Sequence, residues 1–363
     1  MPRALTDALD TSTRHAPDPH AHPAAVRLAP VFDAERLRAE LEILTGDSWR
    51  RQRAYSEAGA SDEHPADWRV LALRSPGGDP ARTDAGGPGP LPYRDTPWLE
   101  RAPYFAEILA SLPPGLRAAR LMSLGVGASV ETHRDTPLGF TKGTVRLHIP
   151  VTTNEGAVLV LDGEACRWQP GTFWYGDFSR PHSVANHGEY ARVHLVLDHA
   201  VSPALFGLFP PGFAEEVGLA NVLFERPEVP LGPVERATFA CGFTVPADFR
   251  HWWGEALDET ADGPGDTEAA VVPRPDGLFL TEAEAEADVG EGDVGEGDVG
   301  EGDGRRRDGP GIGLVHVGGG EFRLQGWTQE RTLHLDRAAR TVRFTVRDGS
   351  SRRTCEHPMT PKV

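Results

Sequence analysis

The stretch Glu131–Pro137 reads ETHRDTP, and two of its side chains can work as a pair. In a β-strand, residues i and i+2 point to the same face, so His133 and Asp135 offer an imidazole and a carboxylate side by side. A third ligand must come from a facing strand, and His182 in SRPHSVANH lies 47 residues beyond Asp135. Two histidines and one carboxylate occupy one face of an octahedron and leave three positions open, the arrangement expected for non-haem Fe(II) oxygenases. Arg192 follows His182 by ten residues in the strand-like segment ARVHLVLD. An inward arginine in a strand is costly unless it meets an anion. A dicarboxylate such as 2-oxoglutarate supplies one, and its far carboxylate accepts the bidentate fork that lysine lacks. Arg146 and His148, two apart in VRLHIPV, share a face and add donors near the same ligand.

Other readings of these residues exist. A kinase catalytic loop also contains His-Arg-Asp, but it needs Asn five residues after the Asp, where this chain has Phe140, and a DFG turn, where it has Asp177-Phe178-Ser179. The kinase reading fails. Taken singly, His133 and Asp135 fit a surface turn bending at Pro137, and His148 and His182 fit hydrogen-bonded core histidines. Arg146 and Arg192 likewise fit solvent-facing positions. Trp174, Tyr175 and Phe178 read as core rather than as a substrate platform. Asn186 suits either loop support or a turn.

The elements that would position these residues are β-strands. From 116 to 198, apolar or alternating runs recur at RAARLMSL, TVRLHIPVTT, AVLVLDG, TFWYGD and ARVHLVLD, separated by Gly, Asn and Pro turns. Short strands at near-regular spacing without intervening helices indicate a sandwich or barrel. Before them, Asp33 can cap a helix with Leu37, Leu41 and Leu44 along one stripe, DWRVLALRS (67–75) reads as a strand, and APYFAEILASL (102–112) as a short helix ended by prolines. The expected organisation is a disordered tail over 1–25, with His15, His20 and His22 in it, and a β-sandwich or barrel domain over 26–200, the domain that the resemblance given below makes a jelly roll. A mixed, helical extension over 201–258 follows, then an acidic Gly-rich linker over 259–309 and a small β-appendage over 310–363.

The linker expectation rests on composition. DVGEG begins at 288, 293 and 298, and residues 281–303 hold ten acids and no base. Such a stretch repels itself and cannot bury a core. It also explains most of the net charge of −17: without it, 44 acids face 37 bases, which leaves no basic field for nucleic acid. Three distant cysteines, Cys166, Cys241 and Cys355, suit free thiols in a reducing compartment. No signal-peptide core and no run of about 20 apolar residues is visible, so the expectation is a cytoplasmic protein with no membrane partner.

The block LMSLGVGASVETHRD…GTVRLHIPVTTN…WQPGTFWYGDFSRPHSVANHGEYARVHLVLD resembles the aspartyl/asparaginyl β-hydroxylase family, including its bacterial proline and amino-acid hydroxylase branch. The ordered set HxD, RxH, HSxxN and Arg ten residues after the second His carries the resemblance, over roughly 116–198. It implies a mainly β fold with flanking helices, a double-stranded β-helix or cupin-like jelly roll, using Fe(II), 2-oxoglutarate and dioxygen. By position it implies that His133, Asp135 and His182 ligate iron and that Arg146, His148 and Arg192 hold 2-oxoglutarate. The substrate would be an amino acid or a peptide residue of Asp, Asn or Pro type. Animal protein-modifying members lack the carboxylate found here at Asp135, which draws the resemblance toward the small-molecule branch. Arg134, Lys142 and Trp68 are the substrate-facing candidates. Two other classes stay open at this level: a non-oxidative cupin-type metalloenzyme using Zn or Mn, and a binding or scaffold module with a vestigial jelly roll.

Overall fold

The structure, a computed structural model, describes residues 6–7, 20–45, 49–56, 59–135, 138–246, 249, 266–282, 311–327 and 331–360. Two β units make up most of it, and no helix among the described residues is long and apolar enough to cross a membrane.

The first unit is a two-sheet jelly roll. Its major sheet contains β1 (Ala25–Val31), β2 (Arg50–Arg51), β3 (Trp68–Pro76), β4 (Leu116–Leu124), β6 (Thr144–Thr152), β9 (Thr172–Gly176) and β11 (Arg192–Ala200). The facing sheet contains β5 (Ser129–His133), β7 (Ala157–Leu161), β8 (Glu164–Cys166) and β10 (His182–Asn186). Their orders are β1-β9-β6-β11-β4-β3-β2 and β8-β7-β10-β5. From β4 to β11 the chain passes back and forth between the sheets, which is the double-stranded β-helix that the family resemblance implied.

Every residue of β11 is buried, yet its two faces differ completely. Val193, Leu195 and Leu197 join Leu121, Leu147, Ile149 and Phe173 in the main apolar core. Two helices cover that outer face, α1 (Ala34–Leu44) through Leu37, Leu41 and Leu44, and α2 (Pro103–Ser111) through Phe105 and Ile108. Asp33 caps α1 as its position suggested, accepting from the backbone N–H groups of Glu35 and Arg36 at 2.9 and 3.1 Å. Buried Glu40 of α1 accepts from the N–H groups of Tyr104 and Phe105, so a carboxylate satisfies the first turn of α2. The inner face of the same sheet carries Arg192, His194 and Asp198 on β11, Arg146 and His148 on β6, and Arg120 on β4. The pairs Arg146–Asp198, His148–Val196 and Arg120–Val196 fix that register.

The second unit is an antiparallel meander of eight strands. They are β12 (Cys241–Val245), β13 (Thr267–Arg274), β14 (Gly277–Glu282), β15 (Ile312–Gly318), β16 (Glu321–Leu324), β17 (Arg331–Asp336), β18 (Thr341–Asp348) and β19 (Ser351–Pro358). Gly242 and Thr360 exchange backbone hydrogen bonds of 2.9 and 2.8 Å, which brings the first strand back to the end of the last. Thr6–Asp7 also pairs with β19. Phe243, Phe322, Leu333, Val342 and Phe344 fill the interior.

This unit corrects the expected boundaries. Strands β13 and β14 lie within the stretch read as linker, and Leu278 of β14 pairs with Leu314 of β15, so the acidic segment is an insertion inside one sheet. The β structure of the C-terminal part begins at Cys241, inside the expected helical extension, whose described helices are short, such as Phe213–Val217 and Pro233–Ala237. The DVGEG repeats, and all of DFRHWWGEAL except Phe249, fall outside the described residues. The tail reading is corrected too: His20 and buried His22 belong to the fold, while His15 lies outside the described residues. The three cysteines are free thiols.

The two units meet through polar contacts. Arg117 donates to Glu225 at 3.1 Å and to the Trp327 carbonyl at 2.8 Å, and Lys142 pairs with Asp348 at 2.9 Å.

Candidate metal centre

His133 ends β5, and His182 opens β10 as its cross-strand partner, so the two imidazoles lie together with ring centroids 4.2 Å apart. Asp135 follows two residues later, held by its N–H donating to the Phe178 carbonyl at 2.8 Å. His133 Nε2 lies 3.6 Å from Asp135 Oδ1, and His182 Nε2 lies 3.8 Å from Asp135 Oδ2. Among the described residues this trio is the one group of His, Cys, Asp or Glu whose ligand atoms converge, all within 4.8 Å.

Proton placement suits a metal. His133 Nδ1 faces the Glu131 carbonyl at 2.8 Å, and His182 Nδ1 faces the Arg180 carbonyl at 3.0 Å. A carbonyl only accepts, so each Nδ1 carries the hydrogen and each Nε2 presents its lone pair toward Asp135. Burial lowers the pKa of His182 and keeps it neutral, outweighing the pull of Asp135 toward the charged form. Two imidazole nitrogens and a carboxylate aimed at one point are a complete facial donor set for a divalent ion.

The turn carrying His182 is braced from the N-terminal segment. Arg180 donates to Asp177 and Asp162, each at 2.8 Å, and to the carbonyls of His20 and His22. The His22 ring packs among Phe140, Tyr175 and Phe213. Asn186 ties the far end of β10 to the Leu124 and Tyr190 carbonyls, which is the supporting role.

Deeper inside lies a second cluster. Arg192 is only 9% exposed, no carboxylate pairs with it among the described residues, and burial pushes its pKa down to about 10. Its Nη2 lies 3.0 Å from His194 Nδ1, which in turn is 3.3 Å from His148 Nδ1. A guanidinium only donates, so His194 Nδ1 is the acceptor, His148 Nδ1 carries a hydrogen, and His148 Nε2 is bare. That nitrogen is buried without a partner. Burial first, then Arg192, holds both imidazoles well below their ordinary pKa. Phe178 stacks on His148 at 4.7 Å and meets His182 edge-on at 4.9 Å, forming a wall between metal ligands and cation.

Arg146 takes a different position from the one expected beside the co-substrate. Its guanidinium is divided between Asp135, by a short contact, and Asp198 at 2.7 Å. Asp198 also accepts from Arg120 at 2.8 Å. Burial would raise the pKa of Asp198, but Arg146 and Arg120 hold it below the usual value. Of the substrate-facing candidates, Trp68 is half-buried on the inner face against His64, Arg134 donates to the Ser179 carbonyl, and Lys142 points to Asp348 in the second unit. Trp174 stacks on Trp168, and Tyr175 sits in the outer core. His194, Arg120 and Asp198 were not singled out from sequence, although each lies an even number of residues from a chosen position or cross-strand partner.

A jelly roll whose facing strands present two histidines and a carboxylate is, by fold and site, of the cupin-like metal-binding class. Residues 32–201, the jelly-roll unit, match the family model "Aspartyl/Asparaginyl beta-hydroxylase". Among curated proteins it is similar to an L-proline cis-4-hydroxylase of Rhizobium meliloti (strain 1021), 25% identical over 188 residues, which are 51% of this chain and 62% of that protein. The chain thus spans about three-fifths of that relative. Similar solved structures include a 2OG-Fe(II) oxygenase family oxidoreductase from Burkholderia pseudomallei (TM-score 0.32, 15% identity, 49% of this chain and 85% of that one). Another is a Trichoplax adhaerens prolyl hydroxylase in complex with a hypoxia inducible factor peptide fragment (TM-score 0.33, 12% identity, 49% and 83%).

Proposed function

We propose that the protein is an Fe(II)- and 2-oxoglutarate-dependent dioxygenase that hydroxylates an amino acid or an amino-acid residue of a peptide. The observation carrying this reading is the pairing of a converging His133/Asp135/His182 donor set with a buried guanidinium at Arg192 that meets no carboxylate among the described residues. Iron with 2-oxoglutarate and dioxygen supplies the oxidation: the keto acid is cleaved to succinate and carbon dioxide, one oxygen atom entering succinate and the other the substrate C–H bond.

In this reading His133, Asp135 and His182 hold the metal, while Arg192 and His148 bind the keto acid's far carboxylate. His148 Nε2 becomes a donor to that carboxylate by shifting its hydrogen from Nδ1, a change of tautomer that leaves the ring neutral. Phe178, Trp168 and Trp174 exclude water around the reacting atoms. Arg146, wedged between Asp135 and Asp198, orients the carboxylate ligand. The interior holds three guanidinium groups against two carboxylates. Adding a divalent metal and a dicarboxylate leaves one positive charge, which a substrate carboxylate neutralises. The similar protein acts, by its name, on L-proline, a carboxylate-bearing amino acid.

The test is coupled turnover. Protein supplied with Fe(II) should form succinate from 2-oxoglutarate, faster when a suitable amino acid or peptide is present and gains one oxygen by mass. Failure to bind 2-oxoglutarate, or turnover unaffected by His133→Ala, ends this reading.

A further inference from the structure

In a chain of net charge −17, the run Trp49-Arg50-Arg51-Gln52-Arg53 places three cations in five residues. They line a cleft of about 360 Å³ together with Glu63 and Thr83. Glu63 answers part of their charge, at 3.9 Å from Arg51 and 3.6 Å from Arg53, and among the described lining residues the balance is cationic.

Two routes connect this cleft with the interior. Glu63 precedes His64, which packs on Trp68, and Trp68 packs on Val70, Met122 and Val196 of the inner face. On the other side, the Thr83 carbonyl accepts from Arg120 at 3.2 Å, and Arg120 continues through Asp198 and Arg146 to Asp135. Arg50 pairs with Val70, and Val70 with Met122, so Arg50 extends the inner face of the major sheet to its edge. The facing sheet ends at β5, which leaves this edge uncovered by it. The cleft therefore lies at the open edge of the sandwich, in line with its inner face, and is called its mouth below.

We propose that this mouth is an anion subsite for the substrate. It holds an acidic side chain or terminal carboxylate of the residue next to the one oxidised, so the preferred substrate is a short acidic peptide. The proposal rests on the dioxygenase reading. Within that reading the interior charge is balanced by one carboxylate, and the mouth's cations stand outside that balance. A free amino acid fills the inner site without reaching them, whereas the cleft volume falls within the usual range for small-molecule sites, roughly 300–1,000 Å³.

The experiment uses the full chain with Fe(II) and 2-oxoglutarate. It compares free L-proline and L-aspartate with their dipeptides carrying Glu or Lys on either side, and with the same amino acids as phosphopantetheine thioesters. Succinate formation gives KM, and anaerobic calorimetry gives affinity. The expected result is a KM about tenfold lower for Glu than for Lys dipeptides, from two or three partly exposed ion pairs, shrinking in high salt. In the double variant Arg50→Glu, Arg53→Glu the preference should invert while 2-oxoglutarate affinity holds. Equal KM values for the Glu and Lys series, a free amino acid outperforming both, or a preference unmoved by charge reversal overturns the proposal. Selective use of the thioesters reassigns the mouth to a phosphate and overturns the peptide assignment. If 2-oxoglutarate itself fails to bind, the dioxygenase reading has failed first, which calorimetry on the native chain reports separately.

Discussion

Inside the C-terminal meander, Phe243, Phe322 and Phe344 are each at most 1% exposed and pack on Leu333 and Val342. Inside the jelly roll lie Arg120, Arg192, Asp198, His148 and His194, each at most 9% exposed, with half-buried Arg146 beside them. Both units are antiparallel β, and both alternate side chains between two faces. The meander fills its interior with aromatic rings and so gains the full burial term, about 25 cal/mol per Å². The jelly roll moves its apolar packing to the outer face, under α1 and α2, and keeps charge within. One interior is built for stability and the other for ligands. Buried unpaired charge costs free energy, and Arg192 is where that cost is concentrated.

The contrast can be broken by mutation. Phe344→Ala should cost about 3–5 kcal/mol through cavity formation, read as an early transition in denaturant unfolding. Metal binding should survive that change, because among the described residues no meander side chain contacts the trio; loss of metal affinity would show that the units do not act separately. In the jelly roll, His182→Ala removes a ligand and should weaken Fe(II) binding by about a hundredfold or more, above what loss of a supporting hydrogen bond costs. Arg192→Met should do two opposite things. It should abolish 2-oxoglutarate binding and raise the melting temperature of the ligand-free protein, by about 1–4 kcal/mol in stability, because a buried cation without an acid is replaced by a packed side chain. A destabilised Arg192→Met would place a hidden partner on that guanidinium.

How much of this was legible follows from the same alternation. His133 and Asp135 stood out because i and i+2 share a face, and His182 because a facing strand had to follow. His194 passed unnoticed, since it sits two residues after Arg192 inside VHLVLD, where the apolar neighbours suggested a plain core strand. The same rule that selected Arg146 and His148 would have found it. Arg120 and Asp198 were hidden for a different reason. Their roles appear only when β4, β6 and β11 come into register, which is long-range information. Of the meander only the part beyond 310 was expected, as a small β-appendage, because an acidic insertion separates Leu278 from Leu314, its partner across the sheet. The run AAVVPRPDGLFL, with its Pro-Asp-Gly turn, was absorbed into a boundary drawn on composition.

Titration sharpens the comparison at lower amplitude. Burial, then Arg192, lowers the folded pKa of His148 and His194 beneath the unfolded value of about 6.5. Below that pH the unfolded chain takes up protons that the fold refuses. Stability is therefore complete above about pH 6.5 and falls as pH drops through it, until the lowered folded values are reached. Thermal melts from about pH 7 to about pH 5 should show this, with a shallower slope in His194→Phe. The smallest effect is expected at the junction. Lys142 and Asp348 are partly exposed, and Lys142→Ala should cost no more than about 1 kcal/mol, vanishing in high salt.

The central claim is that metal and keto diacid share one interior, and calorimetry measures it directly. Anaerobic titration of the Fe(II)-loaded protein with 2-oxoglutarate should give one equivalent bound per chain. That heat should disappear when iron is omitted, in His133→Ala and in Arg192→Met. Equal binding with and without the metal, or no binding to the native protein, would contradict the account.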